Sequence, residues 1–115
     1  MATFWREVAQ SQCMWTLVDR SGQAIGIVRK GTTYRLLWST SFRLRRALAN
    51  NPGYADYVEM KLSWQRFRDQ WMPMIERNGE LIAMDRVRKR LFAFEPSVVQ
   101  SLVEFEIKRI AERNS

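Results

Sequence analysis

The residues whose type and spacing could do chemistry in this chain are cations. Four of the five positions Arg86-Val87-Arg88-Lys89-Arg90 are basic, and Arg43, Arg45 and Arg46 form a second cluster. A guanidinium offers several N–H donors in a rigid fork and grips phosphate oxygens bidentately, so both clusters point to a polyanion. Arg29, Lys30 and Arg35 extend the second one, because residues 20–55 hold seven Arg or Lys and no Asp or Glu. A surface built only for solubility mixes both signs. Plainer explanations stand beside this one. On a helix Arg86, Lys89 and Arg90 share a face opposite Met84, Val87 and Leu91, which describes a solvated face with Asp85 or Glu80 as counter-charge. The preference for Arg over Lys also follows from a GC-rich genome.

Catalytic chemistry has far less to build on. With no histidine and one cysteine, Cys13, the chain lacks the commonest general acid–base group, zinc sites made of Cys and His, and any intrachain disulfide. Cys13 has no His to activate it and reads as an inert thiol near the start of a strand. No Gly-rich phosphate loop or nucleophile motif occurs. Asp56, Asp69, Glu76, Glu80 and Asp85 are scattered, so a metal-dependent nuclease would need the fold to gather them. The expectation is a protein that is not an enzyme and holds no cofactor and no metal.

Five Trp, six Phe and three Tyr invite comparison with surfaces on which bases stack, but most of them are needed for a core. Tyr34, next to Arg35, is the first candidate for an exception. Met60, Met72, Met74 and Met84 read as core filling, with an adaptable partner surface as the other possibility.

These side chains must be positioned by an α+β domain spanning residues 1–115. Thr3 caps an opening helix with Phe4, Trp5 and Val8 on one side. Between Cys13 and Trp38, β-rich runs separated by Gly-containing turns read as a three-stranded antiparallel meander. Alternation groups Trp15 and Leu17, Ile25 and Ile27, and Tyr34, Leu36 and Trp38 on their respective faces. Ser39-Thr40-Ser41 caps a helix from Phe42 to Asn50, stopped by Asn51-Pro52-Gly53. The stripe Met60, Trp64, Phe67 and Trp71 predicts a helix over about Ala55 to Met72, lying against the sheet and broken by Pro73. Asn78-Gly79 marks either a hairpin turn or a loop between helices, with the loop preferred. Met84, Val87, Leu91 and Phe94 space out as a further helix, and Pro96-Ser97 opens a last one bearing Val99, Leu102, Val103, Ile107 and Ile110. The expected architecture is thus a meander followed by three to four helices packed on one face.

The opening residues lack the pattern of a secretory signal, and no apolar run approaches the roughly 20 residues needed to span a bilayer. A cytoplasmic setting without membrane contact is expected. The first functional expectation is a small basic domain that contacts the phosphates of DNA or RNA through Arg29, Lys30, Arg35, Arg43, Arg45 and Arg46, extended by Arg86, Lys89 and Arg90. The alternative is a protein-interaction module, such as a regulator, inhibitor or subunit, docking its basic surface on an acidic protein partner.

Overall fold

Leu36 and Leu37 are adjacent in one strand, and both are fully buried. Successive strand residues point to opposite faces, so the sheet that contains them must be covered on both sides. The computed structural model, which describes residues 2–114, shows how. The chain runs α1 (Ala2–Ser11), β1 (Cys13–Val18), β2 (Gly26–Arg29), β3 (Thr32–Leu37), α2 (Ser41–Asn50), a 3-10 turn (Pro52–Tyr54) and β4 (Val58–Ser63). It continues through α3 (Trp64–Arg66), a π-helical stretch (Phe67–Trp71) and α4 (Met72–Arg77) to β5 (Leu81–Met84), β6 (Ala93–Phe94) and α5 (Pro96–Arg113).

The α+β class holds, and the three predicted strands are present, but they are joined differently from a meander. The β2–β3 hairpin is antiparallel, turning on Lys30 (φ +50°) and Gly31 (φ +80°), a tight pair in which the second residue favours glycine. β1 takes β4 as its full antiparallel partner and meets the hairpin through the isolated bridges Trp15–Trp38 and Val18–Ala24 and through Thr16 Oγ1, which donates to Leu36 O at 2.8 Å. β3 pairs in parallel with β5, and β5 antiparallel with β6.

Two cores result. On one side Phe4 and Val8 of α1, Trp64, Phe67, Met72 and Ile75 of the α3–α4 run, and Val99 and Val103 of α5 pack on Met14, Leu37, Leu62, Ile82 and Met84. On the other side Leu44 and Ala47 of α2 pack on Leu17, Ile25, Leu36, Trp38 and Ala83, with Trp15, Ile27 and Tyr34 partly buried beside them. The alternation in β1–β3 therefore predicts the right set of residues for one face. The helix that covers this face is α2, and not the Trp64–Phe67–Trp71 stripe, which lies on the reverse side. The helices do not all share one face.

Four predictions are corrected. Residues 58–63 are strand, because pairing with β1 outweighs the helical spacing of Met60; Ser63, whose Oγ accepts from Arg66 N at 3.0 Å, caps the helix that begins at Trp64. Pro73 does not end that helix: it enters as the second residue of α4, directly after the π-helical stretch. The helix expected across Met84 to Phe94 is absent, and residues 85–92 form a loop between two strands. Asn78-Gly79 is neither hairpin nor helix–helix loop but a turn from α4 into β5, with Gly79 at φ +67°. Of the predicted caps Thr40 holds, whereas Thr3 lies inside α1 and Ser97 inside α5. Thr40 Oγ1 accepts from Arg43 N at 3.1 Å, while α5 opens on Pro96 with no side-chain cap. Among the described residues, no helix is long and apolar enough to cross a membrane.

Candidate polyanion-binding surface

The parallel β3–β5 register decides where the cations go. Tyr34 lies opposite Leu81 and Leu37 opposite Met84, so Glu80, just before β5, arrives beside Arg35. The ion pair is bidentate, Nε to Oε1 and Nη2 to Oε2 both at 2.9 Å, and Arg35 Nη1 also donates to Ala24 O at 2.7 Å. Gly26 leaves room for this guanidinium: a Cβ there would stand 3.1 Å from Arg35 Nη1. With side chains only 18% and 9% exposed, the pair is structural, and Arg35 is withdrawn from the candidate surface.

At the other end of the same two strands Asp85, just past β5, meets the residues that follow β3. Ser39 N donates to Asp85 Oδ1 at 2.9 Å, and Ser39 Oγ lies 2.7 Å from Glu7 Oε1 and 3.1 Å from both Asp85 oxygens. Arg43 Nε donates to Glu7 Oε1 at 2.7 Å and stands 3.8 Å from Asp85 Oδ2. The hydroxyl has one proton, and the shorter contact assigns it to Glu7. Asp85 bonds the same oxygen as a donor only when it is itself protonated. Burial raises the Asp85 pKa above its ordinary value, outweighing the bond from the Ser39 backbone N–H and the charge of Arg43, which lower it. Ser39 is 1% exposed, so the cluster ties α1, α2 and the end of β5 together, and Arg43 belongs to it.

What remains exposed gathers around the loop of residues 85–92. Its carbonyls are held from three directions: Arg86 O accepts from Trp38 Nε1 at 2.9 Å, Val87 O from Asn51 Nδ2 at 2.6 Å, and Lys89 O from Arg29 Nη2 at 3.0 Å. Arg86 Nη1 donates to Tyr54 Oη at 2.9 Å. Around this anchored loop lie two adjoining hollows. One, of about 260 Å3, is lined by Arg46, Arg86, Arg88 and Arg90 with Asp85, Val87 and Phe92. The other, of about 610 Å3, is lined by Arg29, Lys89 and Arg90 with Tyr34, Leu81, Leu91 and Ala93. Arg90 belongs to both and stacks over the Phe92 ring at 5.2 Å. The only acid in either lining is Asp85, already engaged by Ser39 and Arg43.

Residues 1–100 match the family model described as a protein of unknown function, DUF2750. The chain belongs to the DUF2750 family. No curated protein matches the sequence. The span that defines this DUF2750 chain includes both hollows, the Arg35–Glu80 pair and the Ser39 cluster.

Of the nine predicted cations, the fold brings Arg29, Arg46, Arg86, Lys89 and Arg90 to the hollows and engages Arg35 and Arg43 elsewhere. Lys30 is exposed at the hairpin tip, and Arg45, 71% exposed, lies 3.9 Å from Glu59. Sequence reasoning missed Arg88. A helical reading of 86–90 put it off the cationic face, whereas the loop turns it into the smaller hollow with Arg86 and Arg90. Tyr54 and Asn51, which hold Arg86 and the loop, carried no such signal. The carboxylates considered for a metal site stay apart, and the described residues contain no group of three or more Asp, Glu, Cys or His that could hold a metal.

Proposed function

We propose that this protein is a small nucleic-acid-binding domain that grips phosphates with the basic loop of residues 85–92, flanked by Arg46 and by Arg29 and Lys30 of the hairpin. The observation that carries the reading is the gathering of Arg46, Arg86, Arg88, Lys89 and Arg90 around two adjoining hollows with one acid, Asp85, which is held by the backbone N–H of Ser39. Among the described residues, none of Arg29, Lys30, Arg46, Arg86, Arg88, Lys89 or Arg90 forms an ion pair with Asp or Glu. Such a surface raises the local concentration of a polyanion, and a loop fixed by three backbone acceptors loses little freedom on binding. The role is non-enzymatic.

The test is a salt titration. For about four to six phosphate contacts to duplex DNA, log affinity should fall against log salt with a slope of roughly −4 to −5. Replacing Arg46, Arg88 and Arg90 together by Glu should weaken binding to all sequences alike and flatten the slope, since phosphate contacts carry little direct sequence information. Absence of binding to any nucleic acid at low salt would refute the reading.

One observation favours the second reading, docking on an acidic protein. Phe42 is 73% exposed on α2, on the same helical side as Arg45 and Arg46. An apolar side chain between cations suits an acidic, partly apolar protein surface better than a phosphate backbone. In that case Phe42→Ser abolishes partner capture, while generic DNA and RNA bind no better than heparin.

A further inference from the structure

The larger hollow differs from the smaller one in what forms its wall. Tyr34 and Leu81 face each other across β3 and β5, and Ala93 follows on β6. Tyr34 and Leu81 share their sheet face with Leu36 and Ala83, which α2 covers, but lie toward the opposite end of the strands, and together with Ala93, the partner of Ala83, they are only half-buried. An aromatic and aliphatic patch of sheet is thus left partly open, and Arg29, Lys89 and Arg90 border it. The Arg29–Lys89 hydrogen bond closes one side by tying the hairpin to the loop.

Purely phosphate-binding surfaces have no use for an apolar wall. A nucleobase has a flat apolar face and a charged phosphate close by, and hollow and rim supply a match for each. In a duplex that face is hidden in the stack; in a single strand it is free. From this juxtaposition we infer that the ligand is single-stranded nucleic acid, with an unpaired base seated against Tyr34 and Leu81 and the neighbouring phosphates held by Arg90 and the Arg86–Arg88 hollow. The inference rests on the nucleic-acid reading above and narrows it to unpaired strands. It assigns Arg90, common to both hollows, the phosphate between two nucleotides.

The experiment compares four probes on the full chain at one salt concentration, by fluorescence anisotropy: oligothymidine, oligouridine, a blunt duplex of equal phosphate number, and an abasic strand with the same backbone. Stacking of one base is worth enough to give about a tenfold preference for the two base-bearing strands over the abasic one and the duplex. Similar affinity for oligothymidine and oligouridine means that the base face is read; a preference for oligouridine alone adds the ribose hydroxyl to the recognised chemistry. Tyr34→Leu should remove most of the preference for the base-bearing strands over the abasic one. Photo-crosslinking of a 5-iodouracil strand, mapped by mass spectrometry on the unmutated protein, should mark the Tyr34 peptide. Equal binding of abasic, duplex and base-bearing probes would overturn the inference while leaving phosphate binding intact. No binding of any probe would remove both.

Discussion

Arg35 and Arg43 come from a stretch of 36 residues without one acid, and both are neutralised. Arg86, Arg88, Lys89 and Arg90 follow Glu80 and Asp85 in sequence, and none of them is paired with either. The two acids that could serve the second group serve the first. The cause is the parallel pairing of β3 with β5, which sets Glu80 beside Arg35 across 45 residues and Asp85 beside Ser39 across 46. Local charge runs therefore report solvent-facing charge only when no strand pairing redistributes the counter-ions. The buried set holds the sheet to α1 and α4's following turn; Arg88, Lys89 and Arg90, all exposed, stay free to take an external anion.

Breaking the buried set should give the largest effect. Glu80→Ala leaves a mostly buried guanidinium without its carboxylate, and the expected loss of stability is roughly 3 to 5 kcal/mol, read from the denaturant midpoint. Polyanion affinity, measured where the variant is still folded, should not fall. A midpoint shift below about 1 kcal/mol would mean that Arg35 finds water or another acceptor, and that the contrast between the two sets is one of degree.

Asp85 stands at the border, since it lines the smaller hollow and also bonds Ser39. Its raised pKa fixes the sign of a pH effect. Between the ordinary carboxylate value and the raised folded one, the folded state binds more protons than the unfolded state, so Asp85 adds stability as pH falls through its folded pKa and loses that contribution as pH rises. Asp85→Asn keeps an acceptor for Ser39 N but cannot titrate. Relative to this variant, the wild type should gain stability on acidification across that window. If the wild type instead loses ground, Arg43 dominates the carboxylate and its pKa is lowered.

The loop set should show the reverse profile. Arg88→Glu with Arg90→Glu should change stability by less than about 1 kcal/mol, as expected for exposed positions away from packing. Binding should weaken steeply, with the salt slope smaller by about two for two lost phosphate contacts. A large drop in stability would place these side chains in the anchoring of the loop, alongside Arg86 and its bond to Tyr54.

These distinctions mark what could be read from sequence. Local signals were sufficient where neighbours decide the outcome: the Thr40 cap, the Lys30-Gly31 turn, the burial of Phe4 and Val8, and the shared face of Trp15, Leu17, Ile25, Ile27, Tyr34, Leu36 and Trp38. They failed where a distant partner decides. Met60 carries helical spacing to Trp64 and Phe67, yet pairing with Thr16 makes it strand. The 84–94 segment has apolar residues at helical intervals, yet Met84 N bonds Phe92 O and closes a loop between strands. Arg88 was lost from the candidate site by the same error. The destinations of Glu80 and Asp85 depend on a parallel register that no local pattern announces.

Arg45 offers the smallest effect and the sharpest boundary. It sits on α2 one residue before Arg46, has an acid within 3.9 Å, and lines neither hollow. In water two charges at such a distance attract by about 1 kcal/mol, and the entropy of fixing two long side chains offsets much of it. Arg45→Gln should therefore alter stability by no more than about 0.5 kcal/mol. Its effect on binding separates two ways of sorting the cations. If position around the hollows matters, Arg46→Gln lowers the salt slope by about one and Arg45→Gln leaves it unchanged. If exposure alone matters, both substitutions lower the slope equally, because Glu59 would yield Arg45 to an incoming phosphate at little cost. Equal slopes would extend the surface across α2 to Phe42, and with it the case for docking on a protein; unequal slopes confine the ligand to the loop and the hairpin.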